Sequence, residues 1–386
     1  MQDIASLLPT DADRALLIGR VHDPRDGGPS VVAIRQRTLF DLTARCPTVA
    51  DLLEEDDLPT ILAQAPAARW AFDAVARATL DHDTAAARFV APCDLQVIKA
   101  CGVTFAGSML ERVIEEKAGG DPQRAARIRD TIGQAIGAAI SSIRPGSPEA
   151  DKVRQYLVRE GLWSQYLEVG IGPDAEVFTK APVLSAVGCG SPIGILQASR
   201  WNNPEPELVL AVNSRSEVRG VTLGNDVNLR DIEGRSALLL GKAKDNNASC
   251  AIGPFIRLFD THFTLDDARQ LDIDLRVTGE DSFALEGHSS IRRISRDLTD
   301  LVGQTCGRHH QYPDGFMLFT GTLFAPTDDR DAPGQGFTHK LGDVVCISSP
   351  RLGALINRVT HSETAPEWTG GIRWLMRNLA GRGLLT

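Results

Sequence analysis

The chain has 386 residues, with 41 Lys and Arg against 50 Asp and Glu, so its formal net charge is −9. This acidic balance argues against a protein that coats nucleic acid or anionic lipid, because both attract a surplus of Lys and Arg. The hydrophobic fraction of 42% and the absence of an apolar run near the roughly 20 residues that span a bilayer are typical of a soluble globular protein.

The N-terminal residues show no basic segment followed by an apolar one, so we predict no signal peptide and a cytoplasmic location. The seven cysteines include no Cys-x-x-Cys pair, and their number is odd. A disulfide framework or a structural zinc site is therefore not indicated, and we expect reduced, mostly buried thiols.

The first part of the chain combines short strands with helical sequence. Apolar runs at 15–21 and 30–35 are separated by HDPRDGGP, which is a dense turn signal. Ala-rich sequence over 61–88 predicts helix. We therefore predict a small N-terminal α+β domain over residues 1–92.

The middle of the chain, residues 93–175, is predicted to be a helical insert. A helix that begins near Ser108 stops at Gly119-Gly120, and Asp121-Pro122 supplies the N-cap and first position of the next helix. Isoleucines spaced three and four residues apart over 128–143 form one apolar helix face.

The remaining residues, 176–386, change to strands, glycines and tight turns. Their strand-like runs lack regular helices between them, which favours an antiparallel β barrel or sandwich over a doubly wound sheet. The predicted strands are 207–212, 217–224, 272–279, 315–322 and 343–349. The overall prediction is an α+β protein whose largest part is β-rich.

Glu205 and Glu207 precede an apolar strand and are separated by one residue. Side chains two residues apart on a strand point to the same face, so both carboxylates meet one space. Two such charges stay ionised together only when a cation or strong donors compensate them, and Mg²⁺ or Ca²⁺ prefers oxygen ligands. A solvated strand edge is the competing interpretation.

Asp226 lies at the end of the next β segment. If 207–212 and 217–224 form a hairpin, Asp226 returns to the start of the first strand, near Glu205 and Glu207. Three carboxylates around one point suit octahedral Mg²⁺, with water or substrate in the remaining positions. The alternative role for Asp226 is a helix N-cap, because NDVNLRDIEG opens a helical turn.

Lys244 and Thr322 are two further candidates. Lys244 lies near ASCAIGPFI, which resembles a buried turn. A lysine beside a divalent cation would have a lowered pKa and act as a base, or would hold an oxyanion if it stayed charged. Thr322 enters a Gly-containing turn, which can present N–H and hydroxyl groups to a carboxylate. A surface lysine and an ordinary strand threonine are the alternatives.

Several motifs over residues 181–359 resemble the fumarylacetoacetate hydrolase superfamily. The motifs are APVLSAVGCGSPIG, NPEPELVLAV, GVTLGNDVNLRDIEG, AKDNNASCAIGP, FTGT and KLGDVVCISSPRLGALINRV, and CGVTFAGSMLERVIEE is a weaker match to the mobile lid of that family. The resemblance implies that residues 176–386 form a mixed β-roll with the metal in its mouth. It also implies a homo-oligomer, either a dimer or a dimer of dimers.

The resemblance implies roles for individual residues as well. Mg²⁺, with Mn²⁺ or Ca²⁺ as substitutes, would be held by Glu205, Glu207 and Asp226. Lys244 matches a catalytic or substrate-holding lysine. Arg230 matches a residue that grips the substrate, and Thr322 matches one that binds a substrate carboxylate.

Two departures from the family pattern bear on the activity. Hydrolytic and decarboxylating relatives carry a lid His followed three residues later by a Glu, and here these positions hold Ser108 and Glu111. A substrate-contacting Gln three residues after Arg230 is replaced by Glu233. Without an imidazole, a neutral-pH general base for water is missing. The pattern is similar instead to the 2-keto-3-deoxy-sugar-acid dehydratases of the superfamily.

We therefore predict a Mg²⁺-dependent hydro-lyase that converts a 2-keto-3-deoxypentonate into α-ketoglutarate semialdehyde in non-phosphorylative pentose catabolism. Lys244 and Glu111 would supply the base and the acid, in either order, and Ser108 would contact the substrate. The first alternative is a Mg²⁺-dependent hydrolase of an acylpyruvate or a 2,4-diketo-3-deoxy sugar acid. The second is a non-catalytic paralogue that binds sugar acids.

Overall fold

The computed structural model describes residues 4–65, 68–128, 143–159, 161, 163–324, 326, 329–331 and 336–385. Most of the isoleucine face predicted over 128–143 therefore lies outside the described residues. No helix among the described residues is both long enough and apolar enough to cross a membrane.

Strands make up most of the described secondary structure. In chain order they are β1 Leu17–Asp23, β2 Gly28–Arg35, β3 Thr38–Asp41, β4 Ala68–Ala71, β5 Arg88–Val90, β6 Val97–Gly102, β7 Glu176–Ala181, β8 Pro192–Ile195, β9 Asn202–Asn203, β10 Pro206–Val212, β11 Val218–Asp226, β12 Asn228–Leu229, β13 Cys250–Leu258, β14 Asp272–Thr278, β15 Ala284–Ser290, β16 Phe316–Phe319, β17 Val344–Ser349 and β18 Gly353–His361.

The helices are short and lie between or beside the strands. They are α1 Val49–Glu54, α2 Leu58–Ala63, α3 Phe72–Leu80, α4 Ala106–Ala118, α5 Pro148–Arg159, α6 Gln165–Ile171, α7 Arg230–Glu233, α8 Leu240–Lys244, α9 Leu265–Ala268, α10 Leu298–Thr305 and α11 Ile372–Gly381. Residues 122–128 are also helical. Helix α4 ends as predicted, because Gly119 adopts the left-handed conformation with φ 65°, which glycine tolerates without a Cβ clash.

The strands form two large sheets and one small ladder. The first sheet has the order β4-β3-β2-β1-β13-β11-β10-β16-β6-β7, with β5 paired to β1. The second has the order β15-β14-β17-β18-β8, and β9 pairs with β12. Most pairs are antiparallel, while β16–β6 and β18–β8 are parallel. The fold is thus a mixed α+β arrangement, as predicted.

The N-terminal strands share a sheet with the C-terminal ones. Strand β1 pairs with β13 through Leu17 with Arg257 and Ile18 with Ile256. The buried Arg257 guanidinium also binds the Asp11 carboxylate at 2.6 Å. The domain boundaries at residues 92 and 175 stay a prediction. The first sheet contains strands from both sides of these boundaries.

The hairpin of β10 and β11 lies in the middle of the first sheet. Every residue of β10 is buried, because one sheet face packs on the core around Leu208 and Leu210 and the other on the core around Val209 and Ala211. Such a strand reads as a continuous apolar run rather than an alternating one. The cores on both faces fix the register of the hairpin, since a one-residue slip would exchange every side chain between them.

One sequence prediction in the N-terminal part was wrong. The Ala-rich stretch over 61–88 is not continuously helical, because residues 68–71 form strand β4 on the edge of β3. Trp70 is buried there, and its indole N–H donates to Asp23 at 2.9 Å. Tertiary pairing at this edge outweighs the helix propensity of the surrounding alanines.

Candidate metal centre and active site

The start of the β10–β11 hairpin brings three carboxylates together. Glu205, Glu207 and Asp226 each offer an oxygen, and these atoms lie within 4.8 Å of one another. Their exposed fractions are 6%, 2% and 2%, so none is a solvated strand edge. The Asp226 N–H donates to the Glu205 carbonyl at 3.0 Å, which places the two side by side across the hairpin, as the sequence predicted.

Basic side chains contact two of the three carboxylates. The Lys244 Nζ lies 2.5 Å from Glu205 and 3.0 Å from Asp226. The Lys180 Nζ lies 2.8 Å from the other Asp226 oxygen, and Arg112 contacts Glu205 at 2.7 Å. Although burial alone would raise the pKa of Asp226, Lys180 and Lys244 hold it below its usual value.

Glu207 is compensated least. Among the described residues, its hydrogen-bond donor is the backbone N–H of Gly321, at 2.7 Å. Burial, followed by the neighbouring charges of Asp226 and Glu205, raises the pKa of Glu207 well above its usual value. The site therefore has an unmet need for positive charge at Glu207, and a hard divalent cation with oxygen ligands fits this donor set.

Lys244 is buried, with 2% exposure, so it is not a surface lysine. Burial by itself would lower the pKa of Lys244, but the Asp226 and Glu205 charges raise it above its usual value. The lowered Lys244 pKa that the sequence predicted requires a bound cation. Without a cation, Lys244 stays protonated beside the two carboxylates. Lys180 donates to the carbonyl of Lys244 at 2.5 Å and so anchors the end of helix α8.

Helix α4 forms the wall opposite the hairpin. Arg230, which is 1% exposed, contacts Glu115 at 2.5 Å and Glu111 at 3.4 Å. Its guanidinium also lies 4.4 Å from the ring centroid of Trp201. The predicted lid residue Glu111 is thus near the predicted substrate-binding Arg230, while the side chain of Ser108, on the same helix, lies outside the part that the structure describes.

Arg112 is a pocket residue that the sequence did not reveal. Its guanidinium bridges from α4 to Glu205 on the hairpin, to Glu115 at 2.8 Å and to Glu233 at 2.9 Å. Burial raises the pKa of Glu233, although Arg112 opposes this effect. A charged residue on an amphipathic helix gives no sequence signal that distinguishes it from a solvated one.

Thr322 and Gly321 lie on the cavity wall next to Glu207. The Thr322 side chain is 8% exposed, and its hydroxyl accepts from the Phe324 N–H at 3.2 Å. The turn around Gly321, with φ 91°, already presents its N–H to a carboxylate. This geometry is consistent with the turn that the sequence predicted, whereas the role of Thr322 toward a substrate stays a prediction.

Glu176 is a further residue of the cavity that the sequence analysis missed. It lines the same cavity as Glu207 and Lys244. Burial, followed by the charge of Glu233, raises the pKa of Glu176 to about 7. A usable signal was present, because Glu176 and Lys180 are four residues apart on strand β7 and therefore share a face.

About half of the chain is similar in sequence to a known protein family and to two curated proteins. Residues 172–360 match the sequence model of the family described as fumarylacetoacetate (FAA) hydrolase C-terminal. The 2-dehydro-3-deoxy-D-arabinonate dehydratase of Saccharolobus solfataricus is 32% identical over 184 residues, which are 48% of this chain and 58% of that protein. The Haloferax volcanii protein named "Probable 2-keto-3-deoxyxylonate dehydratase" is 32% identical over 195 residues, 50% of this chain and 63% of that protein.

These alignments therefore span about three fifths of the length of either relative. A solved structure of 2-keto-3-deoxy-D-arabinonate dehydratase complexed with magnesium and 2,5-dioxopentanoate matches with a TM-score of 0.63 and 22% identity. The match covers 90% of this chain and 99% of that one, and at this identity it establishes the fold. Residues 172–360 thus match the fumarylacetoacetate hydrolase C-terminal family, and the fold of the chain is similar to that of the solved dehydratase structure.

Proposed function

We propose that this protein is a Mg²⁺-dependent dehydratase that converts a 2-keto-3-deoxypentonate into α-ketoglutarate semialdehyde. The observation that carries the proposal is the buried group of Glu205, Glu207 and Asp226, with Lys244 in contact with two of them. The names of the two relatives support the substrate class, and the magnesium in the related solved structure supports the metal.

The three carboxylates would hold the metal together with the 2-keto acid end of the substrate. When bound, Mg²⁺ would polarise the 2-keto group and stabilise negative charge as the C3 proton leaves. Cation binding at Glu205 and Asp226 competes with their contacts to Lys244. The lysine is thereby made available to the reacting carbons, where it holds developing charge or exchanges a proton.

The elimination requires one base and one acid. The C3–H and C4–O bonds break, the C4 hydroxyl leaves as water, and the C5 and O5 protons then move to C3 and C4 to give the aldehyde. Lys244 and Glu111 are the proposed pair from the sequence. Glu176 is a further candidate for the acid, because a carboxyl whose pKa is about 7 exchanges protons readily at neutral pH.

Glu111 needs a local rearrangement for this role. Its carboxylate lies 3.4 Å from the Arg230 guanidinium, and Arg230 also donates to the Pro326 carbonyl at 2.9 Å. A substrate carboxylate or hydroxyl that reached Arg230 would replace Glu111 there. Substrate binding at Arg230 and release of the Glu111 carboxylate are therefore coupled in this proposal.

The test is to incubate the purified protein with Mg²⁺ and racemic 2-keto-3-deoxypentonate and to follow the product by NMR. We expect α-ketoglutarate semialdehyde to form with Mg²⁺ and to stop forming after chelation by EDTA. Release of pyruvate without the semialdehyde would favour the hydrolase alternative. Mg²⁺-dependent binding without turnover would favour a sugar-acid-binding paralogue. Native mass spectrometry of the same sample tests the predicted homo-oligomer.

A further inference from the structure

Two asparagines form a polar wall of the cavity beside the three carboxylates. Asn203 and Asn228 are each 1% exposed, and both line the cavity. They are directly paired between strands β9 and β12. Opposite residues of an antiparallel pair extend their side chains to the same face, so the two amides lie side by side.

The position of this pair relative to the carboxylates follows from the hairpin register. Asn203 pairs with Asn228 in the same register in which β10 pairs with β11. Glu205 and Asp226 lie opposite each other between the Asn203–Asn228 pair and the start of the β10–β11 ladder. Residues two apart on a strand share a face. The two amides therefore lie on the same face as the Glu205 and Asp226 carboxylates. They are two residues, or roughly 7 Å, further along the strands.

Three of the four polar amide atoms of these residues lack a partner. Among the described residues, Asn228 Oδ1, Asn228 Nδ2 and Asn203 Oδ1 have no hydrogen bond, whereas Asn203 Nδ2 donates to the Pro204 carbonyl at 2.9 Å. A buried amide without a partner is destabilising, so in a cavity it requires a polar partner, either water or a ligand.

The neighbouring Asn202 shows that the local backbone does not prevent such bonds. Its Nδ2 donates to the Ser199 hydroxyl at 3.3 Å, and its Oδ1 accepts from the His339 N–H at 3.2 Å. Asn202 points away from the cavity face and is satisfied by protein groups. Of Asn202, Asn203 and Asn228, the two with unsatisfied amide atoms are the two that line the cavity.

We propose that Asn203 and Asn228 bind the terminal hydroxyl of a 2-keto acid whose keto acid end lies at Glu205, Glu207 and Asp226; this rests on the proposed function. A hydroxyl both donates and accepts. One hydroxyl can therefore donate to Asn203 Oδ1 and accept from Asn228 Nδ2. The three carbons beyond the keto carbon of a pentonate span a distance comparable to the displacement of the amides. The site therefore selects a hydroxylated tail over an apolar acyl tail.

The experiment compares two acids that differ in one hydroxyl. They are 2-keto-3-deoxypentonate and 4-hydroxy-2-oxopentanoate, which lacks the terminal hydroxyl and eliminates to a conjugated enone. We expect the wild-type kcat/KM to favour the hydroxylated acid by about 100-fold, because a site built to bind a hydroxyl rejects the analogue without it. In Asn228→Ala we expect that preference to fall to about tenfold or less, through loss of the rate on the hydroxylated acid.

Stability separates this role from a structural one. Asn228→Ala removes two unsatisfied atoms, so its melting temperature should not fall below that of the wild type. The matched control is Asn378→Ala, which deletes an amide that donates to the Asp26 carbonyl at 2.8 Å, outside the cavity. This control should lose some stability and keep the full preference for the hydroxylated acid.

Calorimetric binding of both acids, with Mg²⁺ present, distinguishes failure of this inference from failure of the proposed function. If neither acid is dehydrated but the hydroxylated one binds more tightly and Asn228→Ala abolishes the difference, the inference stands and the dehydratase proposal does not. An equal loss on both acids, or an unchanged preference, overturns the inference. If neither acid binds, both the inference and the proposed function are overturned.

Discussion

Two buried groups of charges in this protein differ in how well they are balanced. In the first, Arg330 contacts Asp343 at 2.5 Å and 2.7 Å through two nitrogens and Asp281 at 3.2 Å. The side chains of Arg330 and Asp343 are each 1% exposed. His339 Nδ1 lies 3.2 Å from the same Asp343 carboxylate, and the two buried charges, Arg330 and Asp343, are paired directly.

The cavity group is unbalanced. Among the described residues that line it, seven are carboxylates and three are cations. The carboxylates are Glu111, Glu115, Glu176, Glu205, Glu207, Asp226 and Glu233, and the cations are Arg112, Arg230 and Lys244. Buried carboxylates in such excess are stable only when protons or an added cation compensate them.

The comparison shows that burial of charge alone does not identify a binding site. The Arg330 group pairs its two buried charges, Arg330 and Asp343, with each other within the chain. The cavity group keeps a deficit of positive charge, which a ligand can fill. Changes in the two groups should therefore affect different measurements, stability in the first and metal-dependent activity in the second.

The largest effect is expected for Glu207→Gln. This substitution keeps the shape of the side chain but removes the carboxylate that is compensated least within the chain. We expect kcat/KM to fall by about 10⁴-fold, because the metal supplies several kcal/mol of stabilisation to the developing charge. Calorimetry should show weakened Mg²⁺ binding. The free energy of unfolding measured without Mg²⁺ should not fall. Normal turnover in this variant would remove the metal assignment.

Asp343→Ala should have the next largest effect, on stability. The free energy of unfolding should fall by about 3–5 kcal/mol, because the substitution leaves the Arg330 charge buried without its closest partner. Denaturant unfolding measures this change. Asp281→Ala is the matched control, since Asp281 is solvent-exposed and its loss should change stability little. If Mg²⁺ affinity fell in Asp343→Ala as much as in Glu207→Gln, the distinction between the two groups would fail.

Mg²⁺ itself should stabilise the protein by a smaller amount. At a free concentration of 100 times Kd, a ligand that binds the folded state alone adds about 2.7 kcal/mol to the free energy of unfolding. Unfolding with Mg²⁺ and with EDTA should show this increment in the wild type and in Asp343→Ala. It should disappear in Glu207→Gln, and an unchanged increment there would place the cation elsewhere.

The smallest expected effect concerns pH. If Glu176 is the acid, it must be protonated, so kcat/KM should fall as pH rises through its pKa of about 7, by about tenfold for each further pH unit. In Glu176→Gln this decline should be absent, because the amide does not titrate. A pH–rate profile of both proteins measures the difference. A decline that persists unchanged in the variant would point to a group other than Glu176.

Local sequence patterns predicted the hairpin and its carboxylates well. Glu205 and Glu207 share a face because strands have a period of two, and the return of Asp226 follows from hairpin geometry. Strands β10 and β11 lie within one or two residues of the predicted 207–212 and 217–224. Such features depend on neighbours in sequence, which the sequence shows directly.

Contacts between distant segments could not be predicted in this way. Arg112 meets Glu205 across 93 positions of the chain, and the Ala-rich 61–88 segment forms strand β4 because β3 offers it an edge. The unsatisfied state of Asn228 is likewise a property of its three-dimensional surroundings. Residue type and periodicity carry no information about which distant group lies opposite.

The cavity has two walls of different origin, and these walls should respond differently to substitution. The hairpin wall is held by a register that both cores enforce, so its cavity-facing residues keep fixed positions relative to one another. The wall from helix α4 is made of side chains that one helix presents independently, among them Glu111, Arg112 and Glu115. Single substitutions on this helical turn should therefore alter the cavity chemistry without disturbing the hairpin, whereas a shift of the hairpin register would move Glu205, Glu207 and Asp226 together.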